Sequence, residues 1–122
     1  MSKKVLVIDD EQPIRDLVKT ILEEDAYEVI TADDGTRGLE KAQKEKPDLI
    51  VSDLMMKEMA GGVMTARLKE DDTTKNIPVI YLTGYISKDE AQMTENRLAG
   101  EYCLAKPINK KELLALVAKI LS

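Results

Sequence analysis

Val5-Leu-Val-Ile8, followed at once by Asp9-Asp10, is a run of four apolar residues that ends abruptly in charge. Because it is continuous and mostly β-branched, it predicts a strand buried on both faces rather than one that alternates between core and water. Next, Ile14, Leu17, Val18, Ile21 and Leu22 recur at helical spacing and predict a helix packed on that strand's sheet. Pro13 suits its first turn, where a missing N–H costs nothing. The alternation continues outward. Tyr27-Glu-Val-Ile-Thr31 predicts a second strand, and Asp34-Gly35 opens a second helix that buries Leu39 and Ala42 until Pro47 stops it. Asp48-Leu-Ile-Val-Ser-Asp53 predicts a third strand, and beyond Gly61-Gly62 a helix carries Met64 and Leu68. Pro78-Val-Ile-Tyr-Leu-Thr83 is the fourth strand and Glu101 to Ala105 the fifth. Ser87 with Glu90 has capping-box spacing for a helix between them, and Asn109 with Glu112 repeats that signature before a last helix striped by Leu113, Leu116, Val117, Ile120 and Leu121.

Five strands alternating with five helices predict a parallel sheet, because each strand needs a right-handed helical crossover to return in the same direction. The expected fold is α/β: a flavodoxin-like, doubly wound five-stranded parallel sheet, order 2-1-3-4-5, with five helices. Residues 1–122 suit one domain and leave little room for a second core.

Composition narrows the chemistry. There is no histidine and one cysteine, Cys103, so His-containing zinc sites, a phosphohistidine, an intramolecular disulfide and the commonest general base are all excluded. The opening apolar run is too short for a signal sequence or a membrane span, and the lone thiol makes the cytoplasm the expected compartment. A net charge of -5 disfavours nucleic acid and anionic membranes. What remains is carboxylate, hydroxyl and amine chemistry.

Those groups stand at the strand ends: Asp9-Asp10 after the first, Asp53 after the third, Thr83 after the fourth and Lys106 after the fifth. Carboxylates gathered in one cleft repel unless a cation neutralises them, and an all-oxygen anionic site selects a hard ion, Mg²⁺ or Mn²⁺. A hydroxyl and an ammonium beside them match the needs of a transferred phosphoryl group, with one carboxylate as nucleophile. Asp33-Asp34 is expected only to serve a helix N-terminus, since the second strand lies at the sheet edge.

The ordered set Asp9-Asp10, Asp53, Thr83-Gly84 and Lys106-Pro107 resembles the receiver domains of two-component response regulators, and the likeness covers the whole chain. The resemblance implies that Asp53 accepts a phosphoryl group from the phosphohistidine of a sensor histidine kinase or histidine phosphotransfer domain. It implies Mg²⁺ held by Asp9, Asp10, Asp53 and the backbone carbonyl of Met55, with Thr83 and Lys106 on the phosphoryl oxygens and a cis Lys106–Pro107 bond. It also implies a signalling domain rather than an enzyme, one that catalyses its own phosphorylation and slow dephosphorylation to switch a protein-interaction surface. No direct nucleic-acid or membrane contact is expected.

The chain departs from the family pattern at three places. Lys57 replaces the usual proline after the phosphorylated aspartate, and Gly62 weakens the start of the third helix. The family's aromatic switch residue stands three before the lysine, where this chain has Cys103, while Tyr102 stands four before. A one-residue slip turns a strand side chain to the opposite face, so Tyr102 serves as the switch only if a bulge restores the register. By family analogy, Met55 and Tyr85 flank the site and restrict attacking water. Three rivals are a haloacid-dehalogenase-like phosphatase, which wants an aspartate where Met55 stands, a flavin carrier, whose phosphate Asp9-Asp10-Glu11 would repel, and a non-phosphorylated pseudo-receiver.

Overall fold

The computed structural model describes residues 2–56, 59–84, 86–98 and 100–122. In chain order the elements are β1 (Lys4–Ile8), α1 (Gln12–Glu24), β2 (Glu28–Ala32), α2 (Gly35–Glu45), β3 (Leu49–Asp53), α3 (Gly61–Glu70), β4 (Val79–Thr83), α4 (Lys88–Met93), β5 (Arg97–Leu98), β6 (Glu101–Ala105) and α5 (Lys110–Leu121). The sheet runs β2-β1-β3-β4-β6-β5. β1 to β4 and β6 pair in parallel, which is the expected 2-1-3-4-5 order with β6 as fifth strand.

β5 is an addition to the expected sheet. It pairs antiparallel with β6, Arg97 opposite Tyr102 and Leu98 opposite Glu101. Two residues carry no readable periodicity; the pairing comes from the turn after α4, where Glu95 and Asn96 take positive φ of 56° and 61°. Asn96 then brackets Cys103, its carbonyl accepting the Cys103 N–H at 2.7 Å and its side-chain amide donating to the Cys103 carbonyl at 3.2 Å. The outer edge of β6 is thereby covered at Tyr102 and Cys103 rather than left open as a pairing template.

Strand alternation divides the core. Val5, Val7, Val51, Ile80, Leu82 and Leu104 face α1 and α5, burying Val18, Leu22, Leu113 and Val117 with them. Leu6, Ile8, Ile50, Val79, Tyr81 and Cys103 face the other way, against Ala42 of α2 and Met64 and Leu68 of α3. Gly38 lets α2 approach β1 closely, since a Cβ there would stand 2.5 Å from Ile8 Cδ1. Leu17, expected inside the first helical stripe, is 44% exposed, because the buried arc of α1 is Val18, Ile21 and Leu22.

The helix starts follow their sequence signals. Asp34 accepts the Arg37 N–H at 2.7 Å, Asn109 accepts that of Glu112 at 3.0 Å, and Ser87 and Glu90 form both arms of a capping box. Asp33 pairs with Arg37 at 2.8 Å, so this acidic pair serves α2 and its first turn.

Candidate functional site

Because β1, β3, β4 and β6 are parallel neighbours, their carboxyl ends share one edge of the sheet, and the polar residues that end each apolar run meet there. Main-chain bonds fix the ends against one another. The Asp9 N–H donates to the Ala32 carbonyl at 3.2 Å, Leu54 N–H to the Leu82 carbonyl at 3.2 Å, and Lys106 N–H to the Thr83 carbonyl at 2.8 Å. Ser52 Oγ donates to the Asp53 carbonyl at 2.9 Å.

Asp9, Asp10, Glu11 and Asp53 each place a carboxylate oxygen within 4.8 Å of the others. Asp9 is fully buried and Asp53 6% exposed. Lys106, reaching in after β6, sets Nζ 3.5 Å from Asp53 Oδ2 and 3.9 Å from both Asp9 Oδ2 and Glu11 Oε1. One ammonium thus faces three of four carboxylates. The Lys106–Pro107 bond is cis, as the resemblance implied.

Asp9 shows the imbalance most clearly. Its Oδ1 accepts the Glu11 N–H at 2.9 Å, but its Oδ2 is buried without a hydrogen-bond partner among the described residues. Burial pushes its carboxyl up to about 6; the Glu11 N–H opposes that shift and the Asp53 charge adds to it. A buried oxygen lacking a donor, inside a set of hard carboxylate oxygens, fits a divalent cation such as Mg²⁺.

Asp53 Oδ1 accepts the Met55 N–H at 3.3 Å, which bends the main chain after β3 back over the carboxylate. Gly61 permits the return of that loop, because a Cβ there would stand 2.6 Å from the Asp53 carbonyl oxygen. The Met55 side chain is 55% exposed beside the site. Thr83 is 2% exposed at the end of β4, opposite Ala105 in register.

Tyr102 is not brought to this cluster. The β4–β6 register runs unbroken from Ile80↔Tyr102 to Thr83↔Ala105, without a bulge. Tyr102 therefore shares a face with Leu104 and packs on the cluster between the sheet and α1 and α5, while Cys103 lies on the face of Tyr81 and Thr83. The Arg97 guanidinium stands 4.2 Å over the Tyr102 ring centroid. Tyr85 and Lys57, singled out in the sequence, lie outside the described residues. Glu11, absent from the expected cation ligands, joins the carboxylate cluster; its place directly after Asp9-Asp10 was the available signal.

Comparison with known proteins gives one consistent result. A family model described as the response regulator receiver domain matches residues 5–118. The alkaline phosphatase synthesis transcriptional regulatory protein PhoP of Bacillus subtilis (strain 168) is 38% identical over 99% of this chain and 49% of its own length. The phosphate regulon transcriptional regulatory protein PhoB of Pseudomonas aeruginosa is 33% identical over 99% of this chain and 52% of its own. The chain thus spans about half the length of these curated relatives. Among solved structures, the chemotaxis response regulator CheY4 of Vibrio cholerae superposes with a TM-score of 0.85 at 34% identity, covering 99% of this chain and 100% of that one.

Proposed function

The chain belongs to the response regulator receiver domains, signalling domains of two-component systems, and from that membership we propose that Asp53 is its phosphoacceptor. The observation that carries the assignment is the buried Asp53 carboxylate, 3.5 Å from Lys106 Nζ inside a cluster that otherwise holds an excess of carboxylates.

The chain has no histidine, so its donor is a phosphohistidine on another domain, a sensor histidine kinase or histidine phosphotransfer domain. An Asp53 carboxylate oxygen attacks the phosphorus. An O–P bond forms as the P–N bond breaks, and the imidazole nitrogen leaves with the electron pair. Lys106 neutralises charge on the phosphoryl oxygens, which in this transition state carry most of it. Asp10, Asp53 and the Met55 carbonyl, with Asp9 directly or through water, would hold a divalent cation, Mg²⁺ or Mn²⁺, that supplies further neutralisation when bound. The Thr83 hydroxyl then donates to the phosphoryl group. That bond exists only in the phosphorylated form, so it biases an equilibrium between two arrangements of the β4 end and α4 and switches a protein-interaction surface. Tyr102, on the opposite face, has no part in this contact. Hydrolysis of the acyl phosphate, slow beside the transfer, resets the domain.

We place the protein in the cytoplasm, consistent with a single buried thiol and with no described helix long and apolar enough to cross a membrane. Incubation with acetyl phosphate is expected to load one phosphoryl group, labile to hydroxylamine as acyl phosphates are, in Mg²⁺ but not in EDTA. Equal loading in EDTA would remove the cation from the proposal.

A further inference from the structure

A buried polar relay beneath the loop that follows Asp53 takes no part in the chemistry above. Tyr81 of β4, 4% exposed, donates its hydroxyl to Thr65 Oγ1 of α3 at 2.8 Å, and Thr65 donates onward to the Gly61 carbonyl at 2.9 Å. Gly61 is where the loop closes on the site. Its N–H donates to the Leu54 carbonyl at 2.9 Å, and a Cβ there would stand 2.6 Å from the Asp53 carbonyl oxygen, leaving no room for a side chain. Leu54, Met56 and Met59 from the same loop pack on the apolar cluster that contains Tyr81.

An aliphatic pair would fill the space between β4 and α3 without burying two hydroxyls, which cost free energy unless each is bonded. Bonded, they supply what apolar contact does not: a fixed distance and direction between the strand that ends in Thr83 and the turn that follows Asp53. Burial raises the Tyr81 phenol and keeps it protonated as the donor.

We propose that Tyr81 and Thr65 are positioning residues, whose relay through Gly61 sets the main chain of Leu54 to Met56, and with it the Asp53 carboxylate and the Met55 carbonyl, for cation binding and phosphoryl transfer. The inference rests on the phosphoacceptor reading of the site. The relay acts through Gly61 and Leu54, behind the groups that would touch the cation, where lost orientation weakens affinity without abolishing it.

The test is the Mg²⁺ dissociation constant of the whole chain, followed by amide shifts, in the parent, Tyr81→Phe, Thr65→Val and the double variant, with Leu116→Ala as a fold-destabilised control on α5. Each single variant is expected to weaken Mg²⁺ binding by about tenfold, the low end for groups that orient metal ligands. The double variant should be no weaker than the poorer single, as befits one shared path. The Gly61 amide should exchange faster, and Leu116→Ala should lower the melting temperature while leaving the Mg²⁺ constant alone. Parent-like Mg²⁺ constants in both single variants, or equal weakening by Leu116→Ala, overturn the positioning role. A parent that binds no Mg²⁺ instead removes the functional reading beneath it.

Discussion

In chelator, an ionised Asp9 is a buried charge whose Oδ2 accepts no hydrogen bond from the described residues. Its folded value of about 6 lies above the ordinary 3.8, so between those pH values the folded chain binds more protons than the unfolded one. The contribution of Asp9 to stability must then fall as pH rises from about 4 to about 6, by about 1.4 kcal/mol per pH unit at most. Asp9→Asn removes this titration. In EDTA, its stability relative to the parent should climb across that window and level off above it, with a ceiling of about 3 kcal/mol. Chemical denaturation at several pH values measures this, and a difference that stays flat with pH would contradict it. Gly61→Ala should cost about 1–3 kcal/mol in the same assay, since the atom it meets is the Asp53 backbone carbonyl rather than a side chain that can swing away. Asp9, Asp10, Asp53, Thr83 and Lys106 were legible because each closes or follows an apolar run. Thr65 and Tyr81 were not: 16 residues apart, they read as ordinary helix and strand residues until the fold joins their hydroxyls.

α4 spans six residues and is held at its start by both arms of the Ser87–Glu90 capping box, with Ala91 as its buried residue. So short a helix has little propensity of its own to fall back on. Ser87→Ala should cost about 1 kcal/mol and appear first as faster amide exchange at Glu90 and Ala91; unchanged exchange there would mean that packing on β6, not the cap, holds the helix. The five parallel strands and the helices were readable from continuous β-branched runs, striped segments and cap residues, all of them local signals. β5 was not, because Arg97-Leu98 is a strand only through the β6 edge it meets and the left-handed Glu95-Asn96 turn that delivers it. Leu17 marks the same limit: its spacing fits the stripe, but where the buried arc ends depends on the sheet beneath α1.

Both faces of the sheet bury apolar side chains, so the sheet is a shared wall between two clusters, and damage to either should be felt by the whole fold. Leu113→Ala, at a fully buried position facing the sheet from α5, should lower unfolding free energy by about 2–5 kcal/mol without changing which residue is phosphorylated. Charge works over the same range. The chain carries 18 basic and 23 acidic residues, and phosphorylating Asp53 would exchange its single negative charge for the roughly two of an acyl phosphate, a net gain of about one at an edge where carboxylates already crowd. On the proposed reading, a cation and Lys106 would offset that gain. Mapping the phosphoryl group after acetyl phosphate treatment in Mg²⁺, in the parent and in Asp53→Asn, decides whether this is the acceptor. The label should sit on Asp53 in the parent and be lost in the variant; a variant that labels to the same extent as the parent would contradict the assignment.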